Sequence, residues 1–576
     1  MILLSRRKKV KTHKGLLFVL AILMVAGFLG FRASEANQQE VISAIEDIAS
    51  YAPDEVLVKL KATTPDTSII KAIDDVQASV VTRDKNIVTS GLWAINKEVN
   101  GSFYGDPFLF RIRVAPSLGS EKAIQYLLAS PDIEYSEKNY RGRLLTDYYP
   151  YQWALNNTGS LGGTVDADID APEAWSVFTG SSDMVIAIID SGMAFYHDDL
   201  EPTAWFNLGE TGDGKETDNI DNDGNGKVDD WLGWDFFNED NNPTDDYGHG
   251  THVAGIIGAE GSTNEGIKGV CWNSKLMVLK IANYEGDVYV SDAVAAIDYA
   301  RLNGAKVINA SWGFPYTLSL YQAIERAMAS GVLVVAAAGN DSRNIDQYHY
   351  FYPAGYNLDN IICVAATDYG DQLSSFSNYG HYYVHLGAPG GTNTSQSVYN
   401  IISSITGGGY WYMRGTSMAA PHVSGAAALV LGQRPAIDWL QARTIILKSV
   451  DSLASLSGKT RTGGRLNLYS MITAQTPVLP DGAPTNLQYA VYENGDFFDI
   501  QLTWTDNSSN EAGFTVYMKS GGGYTSAGSV GSNTTTFWLY EAPEGAWEFF
   551  IRAYTSYSPS GGESVRSNIV SMMLGK

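Results

Sequence analysis

Residues 185–192 read VIAIIDSG, an apolar run that ends in Asp190 and leads into a Ser-Gly turn. An uninterrupted apolar run of this length is typical of a strand buried on both faces of a parallel sheet. Around it, residues 147–475 alternate such runs with helical patterns, which predicts a mostly parallel α/β sheet flanked by helices. Ligand and catalytic groups of these sheets collect at the carboxyl ends of the strands, so Asp190 is a candidate functional residue.

A histidine stands at the head of a small-residue helical segment, residues 249–255, HGTHVAG. The imidazole of His249 can act as a general base because its pKa lies near neutrality. His252 follows three residues later, and two histidines at this spacing could bind a metal. The segment has no HExxH pattern, which argues against zinc. We therefore interpret His249 as catalytic and His252 as a packing or hydrogen-bonding residue.

A serine begins a third segment, residues 415–422, GTSMAAPH. Serine at the start of a helix is commonly only an N-cap, but the small residues around Ser417 leave space for a substrate. A hydroxyl is a poor nucleophile unless a base takes its proton, and the base needs a carboxylate to hold its tautomer. Asp190, His249 and Ser417 supply these three roles.

Taken together, AIIDSG, HGTHVAG and GTSMAAPH, in the order Asp, His, Ser, resemble the motifs of the subtilisin-like serine protease (subtilase) family. The resemblance covers roughly residues 147–475. It implies an α/β subtilisin-like catalytic domain and a serine endopeptidase, with Asp190, His249 and Ser417 as the triad. Its substrates would be proteins or peptides, hydrolysed through an acyl-enzyme on Ser417.

The resemblance also assigns oxyanion and substrate-binding residues. Asn340 follows the apolar run 332–338 and matches the family's asparagine that binds the oxyanion together with the serine N–H. Residues 307–313, VINASWG, are similar to the segment that pairs with the peptide and borders the first specificity pocket. This assigns Ser311, Trp312 and Gly313 to substrate binding. Trp312 could floor a subsite or belong to the core, and no residue preference follows from it.

An acidic insertion, residues 209–246, precedes His249 and carries 13 acids against two lysines. Alternating oxygen ligands with glycines between them suit Ca²⁺. The segment begins like an EF-hand loop but has Leu232 where the bidentate glutamate belongs, and it resembles the Asp/Asn-rich calcium loops of some subtilases. The alternative is a solvated acidic loop. The predicted ligands are Asp221, Asp223, Asn225 and Asp229.

A second calcium site is implied by the resemblance alone. Asp199 matches the family's high-affinity calcium ligand. The partner loop, residues 262–267, STNEGI, carries threonine where the family has asparagine, which places this site in doubt. Structural Ca²⁺ is the cofactor that we expect.

Composition narrows the class of protein. The chain has 576 residues, a net charge of −24 and two cysteines. This length indicates more than one domain. The acidic balance argues against nucleic-acid binding, which needs a basic face. Two cysteines exclude a disulfide scaffold, and we expect Cys271 and Cys363 to be buried thiols, with a bridge as the alternative.

The N-terminal 146 residues divide into two zones. Residues 1–36 carry seven bases and one acid, with an apolar run over 16–31. This pattern is typical of a signal peptide, with an uncleaved anchor as the alternative, and predicts a secreted or extracytoplasmic protein. Residues 37–146 contain strand-like runs and a helical stretch and resemble an α+β subtilase prodomain. The resemblance implies a self-cleaved chaperone and inhibitor; the alternative is a permanent accessory domain.

The C-terminal zone follows a proline-rich linker, residues 476–484. Residues 485–576 carry short alternating runs typical of an all-β sandwich. They resemble a fibronectin type III module, with Trp504 as the core tryptophan. A polymer or a cell-surface component is a candidate ligand, although fold does not choose between them.

Two other hypotheses remain open. The chain could be a catalytically silent subtilase scaffold that acts as a surface binding or adhesion protein, or a processing enzyme that cuts one partner. The presence of Asp190, His249, Ser417 and Asn340 favours an enzyme, because a silent scaffold has no chemical reason to keep all four. We expect a monomer whose partners are substrates and its own prodomain, with no nucleic acid.

Overall fold

The computed structural model describes ten segments of the chain: residues 51–61, 109–113, 120–131, 133–140, 147–261, 265–348, 350–394, 397–521, 523–555 and 562–575. The predicted signal peptide, much of the predicted prodomain and residues 262–264 of the second predicted calcium loop lie outside them. Two compact units are present, Met1–Leu144 and Leu145–Lys576. Within the described segments, no helix has the length and apolar character needed to cross a membrane.

The first unit contains an antiparallel sheet in the order β2-β1-β3 with one helix packed on it. Its elements are β1 (Tyr51–Leu60), β2 (Leu109–Arg113), α1 (Ser120–Leu128) and β3 (Ile133–Tyr140). Val58 of β1 and Leu127 of α1 are fully buried. Burial of apolar side chains between helix and sheet is the main stabilising contribution in a unit of this size.

The second unit is built around a large sheet. Its nine strands within the described residues are, in spatial order, β13 (Asp451–Ser452), β14 (Gly464–Arg465), β10 (Leu386–Pro389), β9 (Ile361–Thr367), β8 (Leu333–Ala337), β7 (Val307–Ala310), β4 (Val185–Asp190), β6 (Lys275–Lys280) and β5 (Gly233–Asp235). All neighbours are parallel except β13 and β14. The sheet is therefore mixed, with its central strands parallel.

Helices cover both faces of this sheet and are α2 (Ala171–Trp175), α3 (His249–Gly258), α4 (Val290–Leu302), α5 (Leu318–Ala329), α6 (Thr416–Gln433), α7 (Trp439–Lys448) and α8 (Leu468–Thr473). Successive side chains of a strand point to opposite faces. In β4, Ile186 and Ile188 accordingly join the core under α3 and α6, while Ala187 and Ile189 join the core under α4 and α5. The apolar run in β4 is thus buried on both sides.

The two cysteines lie in different cores. Cys271 belongs to the core under α6, and Cys363 to the core under α5. Both are free thiols. Burial raises the pKa of Cys271 to about 12 and also raises the pKa of Cys363, so both stay protonated at neutral pH.

A hairpin and two C-terminal sheets complete the second unit. The hairpin strands are β11 (Ile401–Ile405) and β12 (Gly409–Met413). The C-terminal sheets have the orders β15-β16-β19 and β18-β17-β20-β21. Their strands are β15 (Thr485–Asn494), β16 (Phe497–Thr505), β17 (Gly513–Lys519), β18 (Thr525–Gly531), β19 (Thr536–Ala542), β20 (Gly545–Tyr554) and β21 (Val570–Leu574). Trp504 and Phe514 lie in their shared core, with ring centroids 5.5 Å apart.

Candidate active site

Three of the predicted site residues occupy the ends of regular elements. Asp190 is the last residue of β4, His249 the first of α3 and Ser417 the second of α6. The carboxyl ends of parallel strands and the helices that start there meet at one edge of a sheet. The fold thus places acid, base and hydroxyl at this edge.

Asp190 and His249 form a hydrogen-bonded pair. The Oδ1 atom of Asp190 lies 2.7 Å from Nδ1 of His249 and also accepts the N–H of Ser191 at 2.8 Å. The Asp190 side chain is 5% exposed and the imidazole 24% exposed. Burial lowers the pKa of His249, but the nearby charge of Asp190 and its hydrogen bond outweigh burial and raise it. The pair holds Nδ1 protonated, which leaves Nε2 as the basic nitrogen.

A second buried aspartate, not predicted from the sequence, fixes the start of the histidine helix. The Oδ1 atom of Asp245 accepts the Ser191 hydroxyl at 2.8 Å and the Gly248 N–H at 2.7 Å. Its Oδ2 atom accepts the Thr251 N–H at 2.8 Å. Asp245 therefore ties the turn after Asp190 to the first turn of α3. Asp245 lies four residues before the first residue of α3, whose N-cap is Gly248, so the usual capping position does not identify it from the sequence.

Lys280 provides another buried link between these turns. Its side chain is almost fully buried, and Nζ donates to Asp246 Oδ1 at 2.7 Å and to the Ser191 carbonyl at 3.3 Å. A buried ammonium needs such partners because desolvation of an unpaired charge is costly. Lys280 thus links the turn that follows Asp190 to Asp246, which precedes α3.

A proline one turn later removes the usual helical hydrogen-bond donor of the Ser417 carbonyl. Pro421 lies inside α6 and has no N–H to donate to the Ser417 carbonyl. The Ser311 hydroxyl donates to that carbonyl instead, at 3.1 Å. In return, Oγ of Ser417 donates to the Ser311 carbonyl at 3.1 Å. Within the described residues Ser417 makes no hydrogen bond to His249, so Oγ must turn about χ1 to reach Nε2.

Asn340 presents its amide beside the serine. Its Oδ1 atom accepts the N–H and the hydroxyl of Thr416, at 2.9 and 3.1 Å, which fixes the side chain. A Cβ atom at Gly415 would lie 3.5 Å from Asn340 Nδ2 and 3.6 Å from the Ser417 nitrogen. Both nitrogens therefore lie within 3.6 Å of one point beside Gly415. Neither donates a hydrogen bond among the described residues, as expected for donors that await an anion.

Ser311, Trp312 and Gly313 follow the end of β7. Trp312 is 9% exposed, and its Nε1 donates to the Ile189 carbonyl at 2.8 Å, so its ring belongs to the core beneath Asp190. The N–H groups of these three residues make no main-chain hydrogen bond within the described part of the chain. An extended segment with free main-chain groups can pair with a peptide strand.

The second histidine has a structural environment. His252 is fully buried, and its Nε2 lies 3.1 Å from the carbonyls of both Ile401 and Trp411. Carbonyls only accept, so Nε2 carries the proton. Burial, reinforced by His249, lowers the pKa of His252 to about 3. His252 is therefore a neutral imidazole that donates hydrogen bonds to the backbone, in agreement with its interpretation as a hydrogen-bonding residue.

The acidic insertion gathers a carboxylate cluster that differs from the predicted set. Oxygens of Glu210, Asp223 and Asp230 lie within 4.8 Å of one another. Of the predicted ligands only Asp223 belongs to this cluster. Asp221 accepts the N–H groups of Gly224 and Gly226, Asp229 accepts that of Asn219, and Asn225 Oδ1 accepts that of Lys227.

Two features of this cluster suit a cation. Glu210 is fully buried, and its Oε2 atom has no hydrogen-bond partner among the described residues. The Tyr299 hydroxyl donates to Asp230 at 2.6 Å, and burial raises the pKa of Asp230. Three converging carboxylates with an unpaired buried oxygen match the hard oxygen ligands that Ca²⁺ prefers.

Asp199 is buried beside the second predicted calcium loop. Its Oδ2 accepts the Ile267 N–H at 3.1 Å. Burial is the main cause that raises its pKa. The loop residues Thr263 and Asn264 lie outside the described residues, so the second calcium site stays a prediction.

Comparison with known proteins identifies relatives of this chain. A family model described as the subtilase family matches residues 181–471. The chain is 36% identical over 359 residues to the thermophilic serine proteinase of Bacillus sp. (strain AK1), covering 61% of this chain and 76% of that protein. It is 33% identical over 305 residues to thermitase of Thermoactinomyces vulgaris, covering 53% of this chain and 93% of thermitase.

Two further matches are partial or distant. The cell wall-associated protease of Bacillus subtilis (strain 168) is 32% identical over 59% of this chain, which spans only 34% of that protein. A solved structure described as proteases from Pseudoalteromonas arctica is matched at 24% identity with a TM-score of 0.46, over 56% of this chain and 97% of that chain.

Proposed function

The chain belongs to the subtilase family of serine proteases, and we propose that it is an active serine endopeptidase. One observation carries this proposal: the hydrogen-bonded Asp190–His249 pair lies at the same sheet edge as Ser417, whose main-chain nitrogen and the Asn340 Nδ2 atom both lie close to Gly415. Nucleophile, base and anion-binding donors are the parts that acyl transfer needs.

In the proposed reaction, Oγ of Ser417 turns from the Ser311 carbonyl towards Nε2 of His249 and attacks the scissile carbonyl carbon. His249 takes the hydroxyl proton, and Asp190 stabilises the imidazolium. The Ser417 N–H and Asn340 Nδ2 bind the oxyanion. His249 then returns the proton to the departing amine, which leaves the acyl-enzyme. Water, deprotonated by the same imidazole, hydrolyses the ester and frees Ser417.

Substrate would bind as an extended strand along Ser311, Trp312 and Gly313. Their N–H groups make no main-chain hydrogen bond within the described residues and could donate to a peptide main chain whatever its side chains. This mode supports protein and peptide substrates.

We further propose that Ca²⁺ stabilises the acidic insertion. Glu210, Asp223 and Asp230 would hold it, since they converge and Glu210 brings an unpaired buried oxygen. Bound Ca²⁺ would supply charge neutralisation, with no part in the bond-breaking steps. Asp221, Asn225 and Asp229 would shape the loop through the N–H groups that they accept, and Asp199 would contribute to a second site.

The flanking regions complete the proposal. We infer a secreted, self-processed precursor in which residues 1–36 direct export and residues 37–146 act as chaperone and inhibitor. The sheet orders β15-β16-β19 and β18-β17-β20-β21 support a fibronectin type III-like module. We propose that the mature protein is a monomer and that this module binds a polymer or a cell-surface component.

The test compares the chain from residue 37 as wild type and as Ser417→Ala, by intact mass and by casein digestion in calcium. We expect only the wild type to lose a fragment ending near residues 140–150 and to digest casein. If both proteins stay intact and inactive while folded, the chain is a silent scaffold and the proposal is wrong.

A further inference from the structure

An aromatic ring fills the space beside the candidate oxyanion site. A Cβ atom at Gly313 would lie 2.4 Å from both Cε2 and Cζ of Phe351, so the ring contacts the glycine main chain directly. A Cβ atom at Gly339 would lie 3.3 Å from Cδ1 of the same ring. Cδ1 and Cε2 are opposite corners of a phenyl ring. The ring of Phe351 therefore spans the gap between the two glycines from edge to edge.

These glycines border the place where a substrate side chain must go. Gly313 ends the segment proposed to pair with the peptide, and Gly339 immediately precedes Asn340. Gly313 lies two residues after Ser311, whose carbonyl accepts Ser417 Oγ at 3.1 Å, and Gly339 is bonded to Asn340. In the proposed binding mode, a scissile carbonyl held by Ser417 and Asn340 would bring the adjoining Cα towards these two glycines. The side chain on that Cα belongs to the residue before the cut. In the proposed binding mode this side chain would point towards the ring of Phe351, which lies against both glycines.

The main chain around Phe351 is held in place. Tyr352 and Phe314 exchange both main-chain hydrogen bonds, at 2.8 and 2.9 Å, and the Phe351 carbonyl accepts the Gly355 N–H at 3.0 Å. Next to it, the Tyr350 hydroxyl binds Asn378 and Asp341, each at 2.9 Å. The ring can turn about its own bonds, but its Cα cannot withdraw without breaking these contacts.

We propose that Phe351 closes the first specificity pocket, so that the enzyme cuts after small side chains such as alanine, glycine and serine. This inference rests on the proposed function and adds a substrate class to it. The Phe351 ring is partly buried and touches Gly313, so a larger substrate side chain would have to rotate it out of this space. In apolar pockets a single methylene group already changes kcat/KM by about 10–200-fold.

The experiment uses the mature enzyme and peptide substrates that differ only in the residue before the cut, alanine, leucine or phenylalanine. We expect wild-type kcat/KM to be at least about tenfold higher for alanine than for phenylalanine. Phe351→Ala opens the pocket and should shift this ratio towards phenylalanine by at least about tenfold. Phe351→Leu keeps most of the apolar volume and should fall between the two, which tests the idea even if the alanine variant does not fold.

Phe497→Ala serves as the matched control, because Phe497 is an exposed phenylalanine of β16, outside the catalytic sheet. Its ratio should equal that of the wild type. The inference is overturned if the wild type accepts phenylalanine as well as alanine, or if both Phe351 variants keep the wild-type ratio. Labelling of Ser417 by a fluorophosphonate separates this failure from a failure of the proposed function: a labelled, casein-digesting enzyme with the wrong preference refutes only the role of Phe351.

Discussion

A buried ion pair joins the C-terminal sheets to the catalytic sheet, and its removal should destabilise the whole second unit. Arg552 of β20 donates to Asp359, which lies just before β9; the two side chains are 6% and 5% exposed. Asp359 also accepts the Arg566 N–H at 2.9 Å, and Arg552 donates to the Ser564 carbonyl at 2.7 Å. Burial alone would raise the pKa of Asp359, but Arg552 outweighs it and lowers that pKa to about 2.

The magnitude follows from this burial. Arg552→Met keeps the length of the side chain but leaves a buried carboxylate without its cation, which typically costs about 3–5 kcal/mol. An unfolding entropy of about 2.1 cal/mol/K per residue over the 432 residues of this unit gives about 1 °C per kcal/mol, so the melting temperature should fall by roughly 3–6 °C. A carboxylate whose pKa is lowered by folding contributes stability above its unfolded pKa and loses it as pH falls through about 2. In Arg552→Met, burial raises the pKa of Asp359, so the loss of stability should be largest near pH 8 and should shrink as pH falls and the buried carboxyl takes up a proton.

Thermal unfolding of Ser417→Ala protein, which avoids self-digestion, measures this effect. Arg326→Met is the matched control: its partner Asp298 keeps Arg301, and Arg326 is 43% exposed, so the loss should stay below about 1 kcal/mol. The double variant Asp359→Asn, Arg552→Met should recover part of the loss, since no charge is then left unpaired. A melting temperature of Arg552→Met equal to that of the control would refute docking of the C-terminal sheets through this pair.

Three further outcomes test the site. Asn340→Ala should lower kcat by about 10²–10³ with little change in KM, because its amide acts on the oxyanion. The pH profile of kcat/KM should have its acidic limb above pH 6.5, because folding raises the pKa of His249 and only the neutral imidazole accepts a proton; Asp190→Asn should remove this upward shift and cut kcat by about 10⁴. Excess EDTA should lower the melting temperature of Ser417→Ala, because the folded protein loses the stabilisation that Ca²⁺ binding provides. Glu210→Gln should reduce this EDTA effect. An unchanged melting curve would exclude a stabilising cation.

In the acidic insertion, the set of carboxylates that converge cannot be predicted from residue spacing alone. Alternating acids predict calcium ligands at Asp221 and Asp229, whose carboxylates accept nearby N–H groups in the structure. The carboxylate cluster contains Glu210, eleven positions before Asp221, and Asp230, together with Asp223. Which carboxylates converge depends on how the loop folds back on itself and on Tyr299 of α4, and no spacing rule contains that information.

The sequence by itself determined the parts of this protein that depend on neighbours along the chain. The apolar run before Asp190 encodes a buried strand, the small residues after His249 and Ser417 encode closely packed helices, and the order of the three motifs indicates the family. Each of these signals lies within about ten consecutive residues, where backbone preference and side-chain period act directly.

Only the tertiary structure decided which distant groups meet. Asp245 forms hydrogen bonds to the turn after Asp190 and to the first turn of the His249 helix. The ring of Phe351 lies between Gly313 and Gly339. Arg552 is paired with Asp359, 193 positions earlier in the chain. These contacts depend on the order of strands in the sheet and on the docking of separate layers, and both are settled by burial of apolar surface over the whole unit rather than by any local pattern.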